Sequence, residues 1–173
     1  MNDPKIRPVS VPKRGLLFAL FLAASASSPF APARAAEAAP QLIRASSASS
    51  QLRFFGRTLP AGDGIAFDWS GSGFEFDAEC EGKVLASITG TPGWQKVGFL
   101  QATVDGIARE RVAVEPGTHD YILADALPKG RHRIKVCKLN EAQYSKMALE
   151  SLSLTGKLLA APAPPENQKR PSS

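Results

Sequence analysis

Short runs of alternating apolar and polar residues, separated by turn-forming residues, recur along the middle of this chain. From Phe74 to Glu81, aromatic and small apolar residues alternate with Glu and Asp, which places the two kinds of side chain on opposite faces of a β-strand. No window of twelve or more residues carries the spacing of an amphipathic helix. The candidate strands are Leu52–Gly56, Ile65–Trp69, Phe74–Cys80, Lys83–Thr89, Phe99–Val104, Arg109–Val114, Asp120–Leu123, His132–Leu139 and Ala148–Thr155.

Gly, Pro and Asp mark the turns between these strands. Asp105-Gly106 is the residue pair that favours a two-residue hairpin. Leu127-Pro128-Lys129-Gly130 is expected to break the chain between two strands. Eight or nine short strands within residues 51–159 predict an all-β domain, an antiparallel β-sandwich or jelly roll.

The first 35 residues have the organisation of a secretory signal peptide. A basic segment, residues 5–14, precedes ten apolar residues at 15–24, and Ala33-Arg34-Ala35 has the small residues of a cleavage site. Ten apolar residues are too few to span a bilayer, so an uncleaved anchor is the less favoured alternative. We expect an exported, periplasmic or secreted protein with no stable membrane span after cleavage.

Two further segments differ in composition from the predicted sandwich. Residues 36–50 are rich in Ala and Ser and predict a flexible leader, whereas residues 160–173 form a polar, Pro-rich tail. Of the 21 Lys and Arg residues, five lie in the first 35 positions with one acidic residue, which leaves 16 basic against 15 acidic groups. A balance this close to neutral, without basic blocks, argues against nucleic acid as a partner.

The two cysteines could pair in an oxidising compartment. A Cys80–Cys137 disulfide would close a loop of more than fifty residues and stabilise the fold by about 4 kcal/mol. Cys80 is an even number of residues from Phe74 and Phe76, so its side chain is expected on the same, inward face of the strand. Cys137 directly follows Val136 and is expected on the face opposite to Ile134 and Val136. A bulge could cancel that difference, so the pairing stays open.

Four carboxylates follow one another at alternate positions of the Phe74–Glu81 run. Glu75, Asp77, Glu79 and Glu81 are expected to lie together on the solvent face, where they increase solubility and protect a sheet edge. Basic residues on neighbouring strands, such as Arg133, could neutralise them.

Several short blocks of this sequence form a recognisable order. They are Phe55-Gly56-Arg57-Thr58, residues 65–76, Val104-Asp105-Gly106, residues 127–132, residues 136–142 and residues 152–159. Taken in that order, they resemble the N-terminal sandwich of carbohydrate esterase family 2. The resemblance implies a jelly roll that precedes a catalytic SGNH (GDSL-type) domain in polysaccharide deacetylases such as acetyl xylan esterases. It also implies charge pairs that involve Arg57, and Lys138 with Glu141.

No catalytic residue of that family maps onto this chain. The nearest string to Gly-Asp-Ser is Gly62-Asp63-Gly64, which lacks the nucleophile. Nucleophilic catalysis needs a Ser or Cys beside a His, yet His119 lies in a polar turn and His132 opens a strand. We therefore predict no catalytic, cofactor or metal-binding residue, although whether the protein is an enzyme stays open.

Two functions remain for such a chain. In the first, it is a non-catalytic module of a truncated or split esterase, and its partner is an SGNH-type hydrolase domain, downstream or in trans. In the second, it is a free-standing carbohydrate-binding protein, and Trp94 in the Gly- and Pro-containing loop at residues 89–96 is the candidate polysaccharide contact. Trp69 follows an apolar strand and is expected in the core.

Overall fold

A computed structural model describes residues 39–163, which form an all-β antiparallel sandwich without a helix in that range. The predicted fold class is confirmed. The strands are β1 Gln41–Arg44, β2 Arg53–Phe55, β3 Leu59–Ala61, β4 Gly64–Ala66, β5 Gly73–Pro92, β6 Gly98–Val104, β7 Ile107–Val114, β8 Gly117–Lys138 and β9 Ser145–Leu158.

Two of these strands are much longer than predicted because each continues through a bend. β5 and β8 pair with each other along almost their full lengths, and their register shifts between Cys80 and Leu85. Gly82 and Ala126 have positive φ angles there, so both strands bend at the same level. The expected chain break at residues 127–130 is therefore wrong: Pro128 and Gly130 lie inside β8, beside its bend.

The shared bend folds one hydrogen-bonded sheet into two layers. The first layer consists of β7, β6, the second half of β8 and the first half of β5, with β2 and the end of β9 at its edge. The second layer consists of the first half of β8, the second half of β5 and most of β9, followed by β1, β4 and β3. β9 crosses between the layers at Gly156, whose φ is +140° and where a Cβ would lie 2.2 Å from the Glu79 carbonyl oxygen.

The core lies between the two layers and follows the predicted alternation. Buried aromatic and aliphatic side chains point inward from both halves of β5 and from its neighbours. Phe74 packs edge-on against Phe67 and stacks with Phe76. The same buried cluster includes Ile88, Leu100, Ile134, Val136, Leu149, Leu152 and Leu154.

The predicted leader at residues 36–50 is in part an ordered component of the sandwich. β1 pairs with Ser151–Leu154 of β9, and Ala45 and Ala48 are buried in the core. The sequence did not indicate this order, because a four-residue strand is too short to show an alternating pattern. Nor does alanine, which is common in flexible segments, indicate by itself that it fills a narrow position in the core. At the other end, the backbone N–H of Ala161 donates to the carbonyl of Ser50; the predicted signal peptide and most of the predicted tail lie outside the described residues.

Cys80 and Cys137 are both free thiols. Along the β5–β8 ladder, Cys80 lies opposite Gly130, whereas Cys137 lies opposite Gly73. Seven strand positions separate those two levels, a distance of about 23 Å. Because a disulfide needs Cα atoms within about 7 Å of each other, the fold does not allow the pairing that the sequence left open.

The carboxylates of β5 differ from the predicted solvent-facing ladder. Glu79 and Glu81 are exposed, but Glu75 and Asp77 are only 7% and 2% exposed. Arg53 donates to Glu75 at 2.7 Å, and Arg133 and Arg131 donate to Asp77 at 2.7 and 2.6 Å. The arginine chains cover the acids, and the Arg133 and Arg131 guanidinium groups hold the pKa of Asp77 below its usual range despite burial.

His132 ties the β6–β7 hairpin to β8. Its Nδ1 lies 2.7 Å from Oδ2 of Asp105, and its Nε2 lies 2.8 Å from the Pro128 carbonyl oxygen. Since both neighbours are acceptors, both ring nitrogens are best protonated, and the bond to Asp105 followed by that to Pro128 raises the pKa of His132.

The His132 contact predicts a pH dependence of stability. A raised folded pKa adds stability that is complete below the unfolded value of about 6.5 and is lost as pH rises through the folded pKa. We expect the free energy of unfolding to fall in that window by at most about 1.4 kcal/mol per pH unit, the limit for one proton. Urea unfolding from pH 5.5 to 8, below the pKa of about 8.5 at which unfolded cysteines ionise, should show this decline. His132→Gln should remove it, and His119→Gln, which changes an exposed ring, should keep it.

The thiol geometry predicts two reactive cysteines per unfolded chain. After unfolding without reductant, a thiol-specific reagent should label both Cys80 and Cys137, as counted by mass spectrometry. In the folded protein only Cys137 should react, because Cys80 is buried and Cys137 is half-buried. A chain that stays unlabelled after unfolding would contradict this arrangement.

Candidate functional site

One end of the sandwich collects exposed aromatic and apolar side chains. The bend lies at the other end, so the start of β5, the end of β8 and the start of β9 all meet here. We call this surface the tryptophan end. It comprises Leu59, Trp69, Trp94, Leu139 and Tyr144 and contains four of the seven large apolar side chains that are exposed in the described part of the chain.

Trp94 is the most exposed of these side chains, at 79%. Its backbone N–H donates to the Gln143 carbonyl at 2.9 Å, and the N–H of Gln95 donates to the Tyr144 carbonyl at 3.1 Å. The Trp94 ring packs edge-on against Tyr144, with centroids 6.2 Å apart. The predicted surface loop therefore presents a supported ring to solvent.

Trp69 also belongs to this surface and not, as predicted, to the core. It is 47% exposed, and the guanidinium carbon of Arg57 lies 4.8 Å above its ring centroid. The strand before it ends at Ala66, so Trp69 lies outside the regular strand. The prediction rested on the apolar run before Trp69, which does not fix the direction of a side chain beyond the strand.

Two surface clefts flank Trp69. One, of about 350 Å³, lies between Trp69 and the segment from Gly56 to Leu59. The other, of about 270 Å³, is lined by Trp69, Glu141, Ala142 and Gln143. The loop at residues 139–144 thus contacts both tryptophans.

A buried lysine holds that loop in place. Lys138 is fully buried, and its ammonium donates to the backbone carbonyls of Asn140 and Glu141 and to Oδ1 of Asn140. Burial lowers the pKa of Lys138, while the charges of Asp68 and Glu141 oppose that shift. The expected Lys138–Glu141 charge pair is thus a contact with the backbone oxygen, and Lys138 has a positioning role.

Sequence reasoning missed the role of residues 139–144. They mix apolar and polar residues without a periodic pattern, so nothing in their local sequence indicated a surface shared with Trp69 and Trp94. The available sign was Lys138, a basic residue at an inward position of β8 after Ile134 and Val136, which needs polar partners when it is buried.

Within residues 39–163, no Ser, Thr or Cys side chain is hydrogen-bonded to a histidine. Both ring nitrogens of His132 are occupied by Asp105 and Pro128, and Nε2 of His119 lies 2.9 Å from the Pro116 carbonyl. Gly62-Asp63-Gly64 lies at the turn between β3 and β4, where Asp63 pairs with Arg44. Across residues 39–163, no group of three His, Cys, Asp or Glu side chains could hold a metal ion, and no helix could cross a membrane.

Comparison with known proteins identifies the fold. The family model of the carbohydrate esterase 2 N-terminal domain matches residues 54–162. No curated protein matches the chain.

Solved structures agree with this match. A family two carbohydrate esterase from Clostridium thermocellum, in complex with cellohexaose, has a TM-score of 0.61 and 27% identity over 66% of this chain and 34% of that chain. An acetyl xylan esterase from Butyrivibrio proteoclasticus has a TM-score of 0.65 and 16% identity, over 72% of this chain and 34% of that one. The CBM36-1 domain of a xylanase from the hindgut metagenome of Trinervitermes trinervoides shares the fold at 10% identity, with a TM-score of 0.51 over 68% of this chain and 98% of its own.

The chain spans about a third of the length of the esterases it matches. The part that matches is the sandwich whose strands, bend and core are described above. From the extent of the family match, this chain belongs to the family of carbohydrate esterase 2 N-terminal domains.

Proposed function

We propose that this protein is an exported, non-catalytic sandwich module that packs against the SGNH-type hydrolase domain of a carbohydrate esterase. That domain is encoded downstream or supplied by another polypeptide, and the protein acts in the periplasm or outside the cell. The family membership supports the pairing. The tryptophan end is the observation that carries it, because clustered exposed apolar groups of this kind mark interaction surfaces.

The proposed docking surface has the composition of an interface centre. Trp69 lies between two clefts, Leu59 and Leu139 add apolar area, and Arg57 is held over the Trp69 ring. Tryptophan and arginine are enriched among residues that dominate binding energy. Since Lys138 fixes residues 139–144 before any partner binds, little conformational entropy is lost on docking.

A binding measurement tests the docking. The full chain is mixed with the isolated catalytic domain of a family 2 esterase, and that enzyme's own sandwich is the positive control. We expect a one-to-one complex by sedimentation, weakened at least tenfold by Trp69→Ser, about 1.4 kcal/mol or more. Ile122→Ser, at an exposed apolar residue of the second layer, should leave affinity unchanged. Acetyl-ester hydrolysis by the chain alone, well above background, would refute a non-catalytic role.

A second function, direct polysaccharide binding, is favoured by Trp94. Its ring is exposed and braced by Tyr144, which suits an aromatic side chain for packing on an apolar sugar face. The family two carbohydrate esterase at 27% identity, solved in complex with cellohexaose, adds support for a carbohydrate ligand.

Titration of the full chain with neutral xylan, followed by calorimetry, tests this second function. Trp94→Ala should reduce affinity at least tenfold, because the sugar loses its apolar platform, whereas Trp94→Phe should retain part of it. Flat titrations of the unaltered protein would exclude polysaccharide binding at Trp94 while leaving the docking proposal standing.

A further inference from the structure

The outer face of the first layer is a second surface, separate from the tryptophan end. Side chains alternate between the two faces along each strand of this layer. Phe74, Ile134 and Leu100 point inward, and the residues next to each of them along its strand point outward. The outward set is rich in cations and contains two half-buried rings. We call it the basic face; it comprises Arg53, Phe55, Phe99, Gln101, Thr103, Arg111, Arg131, Arg133 and Lys135.

The carboxylates that β5 directs to this face are all paired. Glu75 pairs with Arg53, Asp77 is shared by Arg131 and Arg133, and Glu79, which is exposed, pairs with Lys157. More than half of the Arg131 and Arg133 side chains remains exposed, whereas the side chain of Asp77 is buried. Two guanidinium groups above one buried carboxylate leave a positive charge at the surface.

Two further cations on the face are held by rings and not by acids. Nζ of Lys135 lies 4.9 Å from the ring centroid of Phe55, and the guanidinium carbon of Arg111 lies 5.0 Å from that of Phe99. Within residues 39–163 neither cation forms a salt bridge. A cation–π contact at this distance orders the charged group, so both cations are positioned before a ligand arrives.

The two ring-supported cations lie on either side of a polar strip. Arg111 pairs in register with Gln101, and Lys135 pairs with Thr103. Arg111 and Lys135 are therefore separated by two spacings between neighbouring strands and by two residues along β6. This places the Cα atoms of Arg111 and Lys135 about 12 Å apart. Gln101 is fixed by donating to the Arg109 carbonyl at 2.9 Å, so hydrogen-bonding groups occupy the space between the charges.

We propose that the basic face binds an acidic polysaccharide, an extended chain whose uronic acid carboxylates contact Arg111 and Lys135. Spaced cations with amide and hydroxyl groups between them match a polymer that alternates carboxylates with hydroxyls. The choice of a carbohydrate as the carrier of the anion rests on the proposed function. Nucleic acid fits less well, because cations already occupy the faces of Phe55 and Phe99 on which bases would stack.

The test compares glucuronoxylan with the same polysaccharide after reduction of its carboxyl groups. Full-length protein should bind the acidic form at low salt, bind it several-fold more weakly at 0.5 M NaCl, and bind the reduced form at least tenfold more weakly. Lys135→Gln and Arg111→Gln should each weaken binding several-fold and together at least tenfold. Lys146→Gln, which removes one exposed charge from the second layer, is the matched control and should have no effect.

Each alternative outcome has a distinct meaning. Equal binding of both polysaccharide forms, or an unaltered affinity in the double variant, would overturn the proposal. Single-stranded DNA bound as tightly as glucuronoxylan, and lost in the double variant, would assign the face to nucleic acid and also overturn it. Thermal unfolding confirms that the variants fold, and Trp69 and Trp94 variants bear on the proposed function alone, so the two failures are distinguishable.

Discussion

The bend that β5 and β8 share determines the rest of the architecture. At Gly82 and Ala126 both backbones take positive φ, so paired strands turn together and one sheet covers its own apolar face. The ladder stays hydrogen-bonded on both sides of the irregularity, and the crossing therefore leaves few polar backbone groups to satisfy. Because the strands fold back, their remote ends meet, and the loops that join them form the tryptophan end. The same geometry places Cys80 near the bend and Cys137 near the opposite end, which is why the two thiols remain apart.

Alternation predicted the core well and the surface less well. Phe74, Phe76, Ile134 and Val136 lie inward as expected because parity is reliable inside a regular strand. The burial predicted for Trp69 was wrong, because Trp69 lies beyond the end of β4 and the apolar run before it does not fix the direction of its side chain. A pattern of four residues could not reveal β1. Of the candidate site, sequence indicated the exposed Trp94 loop but not its neighbours. The tryptophan end is built by chain segments that are far apart in sequence, and local patterns carry no information about their proximity.

The buried charges show a related limit. Parity placed Glu75 and Asp77 on the outer face, where both lie, yet their burial depends on arginines of β2 and β8 that fold over them. Facing outward is therefore not equivalent to being solvated. An ionised carboxylate is costly to desolvate, and here it is stabilised by charge-assisted hydrogen bonds. The side chains of Arg131 and Arg133 stay more than half exposed, whereas that of Arg53 is largely buried with Glu75. The outer face gains a positive surface although its sequence reads as acidic.

The two proposed surfaces occupy different sides of the sandwich, so use of one does not block the other. A domain docked at the tryptophan end covers strand termini, whereas the basic face lies along the strands. β8 connects them: Lys135 is three residues before Lys138, which anchors the loop beside Trp69 and Trp94. An extended polymer that follows β8 past Lys135 reaches the edge of the tryptophan end within about 10 Å. A module that holds an acidic chain on one side and a hydrolase domain at the adjacent end would present the chain to that domain, which gives a non-catalytic sandwich a direct part in esterase action.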